Sequence, residues 1–203
     1  RFDRKVLSGG EKRADADFHR VVRMHQEDFC QILGLLPERK YETGSVRYAK
    51  RVSDEIAARS TDPVRDLQTF AKLLVFNAVV GNCDGHLKNI TALRGADWRA
   101  FELAPVYDVA STVVYQGLDR SMAMRVGRTN KIDEVERDDF LMLGEELALS
   151  KKVMVRLIDE VCEGALQSMP GIVADMENGL NRPLSKLADI ERFARDQIDR
   201  LRA

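Results

Sequence analysis

Apolar positions recur every three or four residues over most of the chain, the spacing that places them on one face of a helix. The clearest run follows Thr61 and Asp62, either of which can cap a helix that carries Pro63 in its first turn. Val64, Leu67, Phe70, Leu74 and Ala78 then form one face up to Gly81, and the C-terminal half is apolar on several sides. That pattern predicts a buried central helix. Upstream, Phe29, Ile32 and Leu33 within HQEDFCQILGLL predict a short helix that ends near Gly34, and Val46, Ala49, Val52, Ile56 and Arg59 predict another within residues 41–60. Helical spacing returns over residues 138–149, over 151–169 behind Ser150 as cap, and from Pro183 to the C-terminus through Leu184, Leu187, Ile190, Phe193, Ile198 and Leu201. The period differs in two places. Residues 1–7 read as a short strand followed by the polar turn LSGGEK, and residues 90–93 and 98–103 read as two strands around RGAD. The expected fold is therefore mainly α with a small β-hairpin, without internal repeats.

Composition narrows the class. A chain of 203 residues suits one domain or one large lobe, able to bury roughly 70% of the surface its unfolded form exposes. Hydrophobic residues at 44% and charged ones at 32% are globular values. A net charge of −1 with both signs interspersed offers no surface for direct nucleic-acid contact or for an anionic membrane. Cys30, Cys83 and Cys162 are odd in number and lack paired spacing, which points to a reducing, cytoplasmic setting. No apolar stretch reaches the roughly 18 residues of a membrane span, and none reads as a signal peptide. The chain opens at Arg1 in the strand-like RFDR and has no Met before Met24, so it is expected to be cut from a longer protein.

Candidate chemistry concentrates in FNAVVGNCDGHLKNI, residues 76–90. Taken singly, its polar residues read as a helix terminus: Gly81 left-handed, Asn and Asp on the freed backbone groups. Taken with the hairpin and the segment downstream of it, they support more. A hairpin brings its ends together, so Asn89 at its start and Asp108 just past its end can share one metal ion. Asn supplies a carbonyl oxygen and Asp a carboxylate, hard ligands suited to Mg²⁺. Asp84 lies one loop away, placed to orient a hydroxyl and accept its proton. Phosphoryl transfer divides the work in this way. A dinuclear metallophosphoesterase, suggested by GNCD and by DFH at residues 17–19, needs several His ligands, and no His follows His86.

With VVGNCDGHLKNITAL, LAPVYDVAST and SMAMRVG in order behind RFDR and MHQEDFCQILGLLPERKYE, the chain resembles the C-terminal domain of HipA-type kinases, bacterial serine/threonine kinases that act as toxins in toxin–antitoxin pairs. The resemblance runs from Arg1 to about Leu149 and implies a protein-kinase-like C-lobe of α+β type using ATP and Mg²⁺. It implies that Asp84 is catalytic, that Asn89 and Asp108 bind the metal and through it the nucleotide, and that His86 and Lys88 steady the transferring phosphate. Loop hydrogen bonding is the competing reading for His86 and Lys88. Phe2, in the hinge-like segment, would line the adenine pocket or belong to the core. The implied partners are a protein substrate in translation, such as a translation factor or an aminoacyl-tRNA synthetase, and an antitoxin.

The pattern departs from a complete kinase in one respect. Lys50 and Lys72 lie on predicted helices, so neither suits the strand lysine that holds the α- and β-phosphates, and no phosphate-covering loop precedes a strand. An N-terminal lobe is expected to be absent from these residues. The lobe itself is expected to comprise a hinge-proximal segment with the first helices (1–60), the central helix, loop, hairpin and metal-binding segment (61–115), and a helical remainder (116–203). Two further readings stand: a lipid or small-molecule kinase relative, and a non-catalytic module that docks an antitoxin or a separate lobe.

Overall fold

The computed structural model describes residues 4–7, 20–95 and 98–203. Strands β1 (Arg4–Leu7) and β2 (Arg20–Arg23) pair antiparallel, with Arg4 opposite Arg23. Phe2 and the expected LSGGEK turn, apart from Leu7, lie outside the described residues. Strand β3 (His25–Asp28) then runs directly into the single-turn helix α1 (Phe29–Ile32). The helical expectation for residues 25–28 fails because tertiary pairing overrides local spacing. These residues form the edge of an antiparallel sheet beside β4 (Thr91–Arg94), with His25 opposite Arg94 and an ion pair between Glu27 and Arg94. Asp28 is the switch point: its carboxylate accepts from the Gln31 amide and the Gln31 side chain accepts from the Asp28 amide, a capping box.

Helix α2 (Tyr48–Arg59) starts later than the periodicity suggests. Helix α3 (Pro63–Val80) is capped by Asp62, whose side chain accepts from the Arg65 amide, and ends on left-handed Gly81. Phe70, Ala71, Leu74, Val75, Ala78 and Val79 of α3 are buried, whereas Val64, placed on the same face by its spacing, is 67% exposed in the first turn. Strands β4 and β5 (Phe101–Leu103) form the expected hairpin, with β3 as third strand. Buried Asp66 of α3 ties the helix to this sheet by accepting from the Leu103 amide at 2.9 Å and the Ser60 hydroxyl at 2.7 Å.

A second hairpin, β6 (Ser121–Val126) and β7 (Thr129–Lys131), was not expected from the sequence. Its strands turn through Gly127 at φ 54°, where a Cβ would stand 2.6 Å from the backbone of Asp139. Helices α4 (Arg137–Glu146), α5 (Lys151–Leu180) and α6 (Ser185–Arg202) complete the chain. Helix α5 continues eleven residues past the expected end at Met169, through Pro170. Pro170 is exposed there, and the left-handed cap at Asn181 terminates the helix instead. The core lies around α3, which packs on α2, α5 and α6, with α4 closing one side through Phe140 and Leu143. The architecture is mainly helical with small antiparallel sheets.

Candidate active site

Gly81 directs the chain off α3 into the polar loop. A Cβ there would meet the Val113 side chain at 2.3 Å, so only glycine allows the 107–113 segment this close. Asn82 folds back on the helix, donating to Asn77 Oδ1 at 3.0 Å, and its own Oδ1 accepts from the Asp84 amide at 3.1 Å. The Asp84 carbonyl then collects two donors, the His86 amide at 2.8 Å and the Asn89 Nδ2 at 3.0 Å. One turn of tight helix, Leu87–Asn89, therefore closes the loop and fixes Asn89 against Asp84.

The β4–β5 hairpin returns the chain to this loop. The Ala104 amide donates to Thr91 O at 2.8 Å, and the Tyr107 hydroxyl donates to Lys88 O at 2.9 Å while also contacting Thr91 Oγ1. Further on, the Thr112 amide donates to Gly81 O, and the Cys83 amide donates to Thr112 Oγ1 at 2.9 Å. Residues 104–112 thus lie along the loop from end to end. Between these anchors Asp108 adopts a left-handed φ of 56°, a conformation that costs energy for a non-glycine residue and recurs at functional sites. Asn89 and Asp108 line one small cavity together with Asn77, Asn82 and Gly85.

The donor set suits a hard cation. With its Nδ2 held by the Asp84 carbonyl, Asn89 has its Oδ1 without a hydrogen-bond partner among the described residues, and Asp108, a carboxylate residue, lines the same cavity. Such a pair fits Mg²⁺, which keeps waters and substrate phosphates as its other ligands. Among the described residues no three His, Cys, Asp or Glu side chains cluster, as a histidine-rich dinuclear centre would require.

Two residues outside the loop complete its surroundings. The Tyr41 hydroxyl donates to Asp84 Oδ1 at 2.6 Å, and Lys40 Nζ stands 2.8 Å from His86 Nε2. His86 is buried, with its ring edge-on to Tyr41. Burial, together with the adjacent Lys40 ammonium, lowers the His86 pKa, so the imidazole is neutral at pH 7 and its Nε2 accepts from Lys40. His86 Nε2 also lies 3.9 Å from Asp84 Oδ1. Lys88 is exposed, and only its carbonyl is engaged among the contacts described, by Tyr107. On the Tyr41 side of Asp84 opens a cleft of about 540 Å³ lined by Cys83, Thr112, Ser121 and Met122.

Asp84, His86, Asn89 and Asp108 come together, then, while Lys88 faces outward and Phe2 falls outside the described residues. Sequence reasoning passed over Lys40, Tyr41 and Tyr107. Tyr107 adjoins Asp108, but Lys40 and Tyr41 lie 46 and 43 positions before the His86 and Asp84 that they meet, and no spacing rule connects them.

The family profile of the HipA-like C-terminal domain matches residues 1–169. A Sinorhizobium fredii protein with the name of a kinase, Y4mE, is 33% identical over 155 residues, covering 76% of this chain and 36% of the relative. The serine/threonine-protein kinase toxin HipA of Shewanella oneidensis is 24% identical over 183 residues, covering 85% of this chain and 40% of its own length. The structure of that organism's HipA in complex with HipB and operator DNA superposes with a TM-score of 0.75 at 21% identity, over 99% of this chain and 46% of the other. The chain spans less than half the length of each of these proteins. With a matching profile over most of its residues, it belongs to the HipA-like C-terminal domain family.

Proposed function

We propose that these residues form the catalytic lobe of an ATP- and Mg²⁺-dependent serine/threonine protein kinase. The observation that carries the reading is the meeting of Asp84, Asn89 and Asp108, with Asn89 Nδ2 on the Asp84 carbonyl at 3.0 Å and Asn89 sharing a cavity with Asp108. Asp84, with its side chain 52% exposed, accepts the proton of the attacking hydroxyl. Asn89 Oδ1 and the Asp108 carboxylate would hold Mg²⁺, which supplies neutralisation of phosphate charge. Lys40, reaching His86, adds positive charge beside the same centre, and the cleft beyond Tyr41 gives an acceptor segment room to approach. The acceptor is a protein hydroxyl, and an antitoxin of the kind that accompanies the Shewanella HipA is a partner consistent with the family. The buried, unpaired cysteines suit a cytoplasmic setting.

The test is a pair of variants in the full-length protein. Asp84→Asn keeps shape and a hydrogen bond but cannot accept a proton, so transfer of the γ-phosphate should fall by at least about a hundredfold, with nucleotide binding retained. Asp108→Asn removes a formal charge from the metal side and should weaken Mg²⁺-dependent ATP binding, read by calorimetry with and without chelator. Undiminished transfer by Asp84→Asn would sink the assignment.

A further inference from the structure

Tyr41 is tied to the loop by more than its own hydroxyl. On one side of it, the Leu87 amide donates to Lys40 O at 3.3 Å. On the other, the Glu42 amide donates to Ala123 O at 2.9 Å, and the Ala123 amide donates to Cys83 O at 2.9 Å. The buried Glu42 carboxylate also caps α2 by accepting from the Tyr48 amide at 2.8 Å. The 40–42 segment is therefore held between the loop on one side and β6 on the other, and the residue between these anchors points its hydroxyl at Asp84. The phenol is 41% exposed and packs edge-on against buried His86, so its ring needs little from the core to stay in place.

A carboxylate on a half-exposed side chain rotates freely unless one oxygen is fixed. Tyr41 fixes Oδ1 with a short hydrogen bond to an anionic acceptor, among the stronger kinds. Oδ2, which has no hydrogen-bond partner among the described residues, is then left for the proton of the incoming hydroxyl, and Asp84 lines the 540 Å³ cleft. We infer that Tyr41 is the positioning residue for Asp84: its hydroxyl orients the carboxylate toward the acceptor cleft without touching the phosphate. This rests on the reading of Asp84 as the proton acceptor. Lys40 stands beside it, with its Nζ on buried His86, so one dipeptide contacts both Asp84 and His86 of the loop.

The experiment uses the full-length protein and compares wild type with Tyr41→Phe and Asp84→Asn, following γ-phosphate loss from MgATP to casein and to water. Removing only the hydroxyl should lower kcat by between about tenfold and about a hundredfold, the range that a misoriented catalytic group costs. The KM for ATP and the thermal midpoint should stay at their wild-type values, because the hydroxyl neither touches the nucleotide nor lies in the core; a merely structural role would move the midpoint instead. Wild-type turnover in Tyr41→Phe, with Asp84→Asn inactive, overturns the Tyr41 inference alone. Faster turnover overturns it too, since the hydroxyl would then be blocking the acceptor position. An inactive wild type, or an active Asp84→Asn, brings down the proposed function and this inference with it.

Discussion

Gly85, between Asp84 and His86, sets how tightly the loop folds. A Cβ on it would stand 2.5 Å from Asn77 Nδ2, inside any normal contact distance. Asn77 is buried and already accepts from Asn82, so it cannot swing away without leaving a polar group unpaired. Gly85→Ala should therefore destabilise the protein by about 1–3 kcal/mol, the usual cost of overpacking. It should also reduce phosphate transfer, because the displaced Asn82 side chain no longer receives the Asp84 amide. Urea unfolding measures the first effect. A variant as stable as wild type would show that the Asn77–Asn82 pair does not constrain the loop.

The helices show local signals both followed and overridden. Helix α3 follows them: Asp62, Pro63 and Gly81 stand where caps, first turns and helix ends favour them. Helix α5 does not, since Pro170 lacks the amide that would reach the carbonyl four residues earlier. The exposed setting lets water satisfy that carbonyl, and the helix survives at a cost. Pro170→Ala should restore the hydrogen bond and raise stability by up to about 3 kcal/mol, the interior helix penalty of proline. A higher melting temperature with unchanged transfer in the full-length protein is the expected outcome. No gain would mean that the helix has already relaxed around the proline.

At the scale of the whole molecule, the core closes around α3 within these residues, while the candidate chemistry sits on one edge, between loop 81–90 and segment 104–112. The proposed catalytic carboxylate, Asp84, and the proposed metal ligands, Asn89 and Asp108, lie there, but the strand lysine and phosphate-covering loop of a full nucleotide site are not recognisable in the 203 residues. Prepared alone, this chain should fold yet bind MgATP far more weakly than the full-length protein, by calorimetry, and transfer no phosphate. Transfer of radiolabel from ATP by the 203-residue chain would contradict that expectation. No helix among the described residues is long and apolar enough to cross a membrane.

Much was legible in the sequence where the signal is local. Helix α3 with both its ends, the β4–β5 hairpin, and the grouping of Asp84, Asn89 and Asp108 through that hairpin all come from short-range spacing and turn chemistry. Capping and periodicity act within a few residues, so one segment carries its own evidence. Tertiary pairing settled the rest. Residues 25–28 became a strand because β4 had an edge to fill, although their spacing suits a helix. The β6–β7 hairpin closes on Asp139, a residue ten or more positions away. Lys40 and Tyr41 reach His86 and Asp84 across 46 and 43 positions of chain, and only the packed fold supplies that proximity. Local patterns were enough to group Asp84, Asn89 and Asp108 around one loop. Packing chose the neighbours that hold them in place, because a hydrogen bond between distant segments has no local pattern from which to be read.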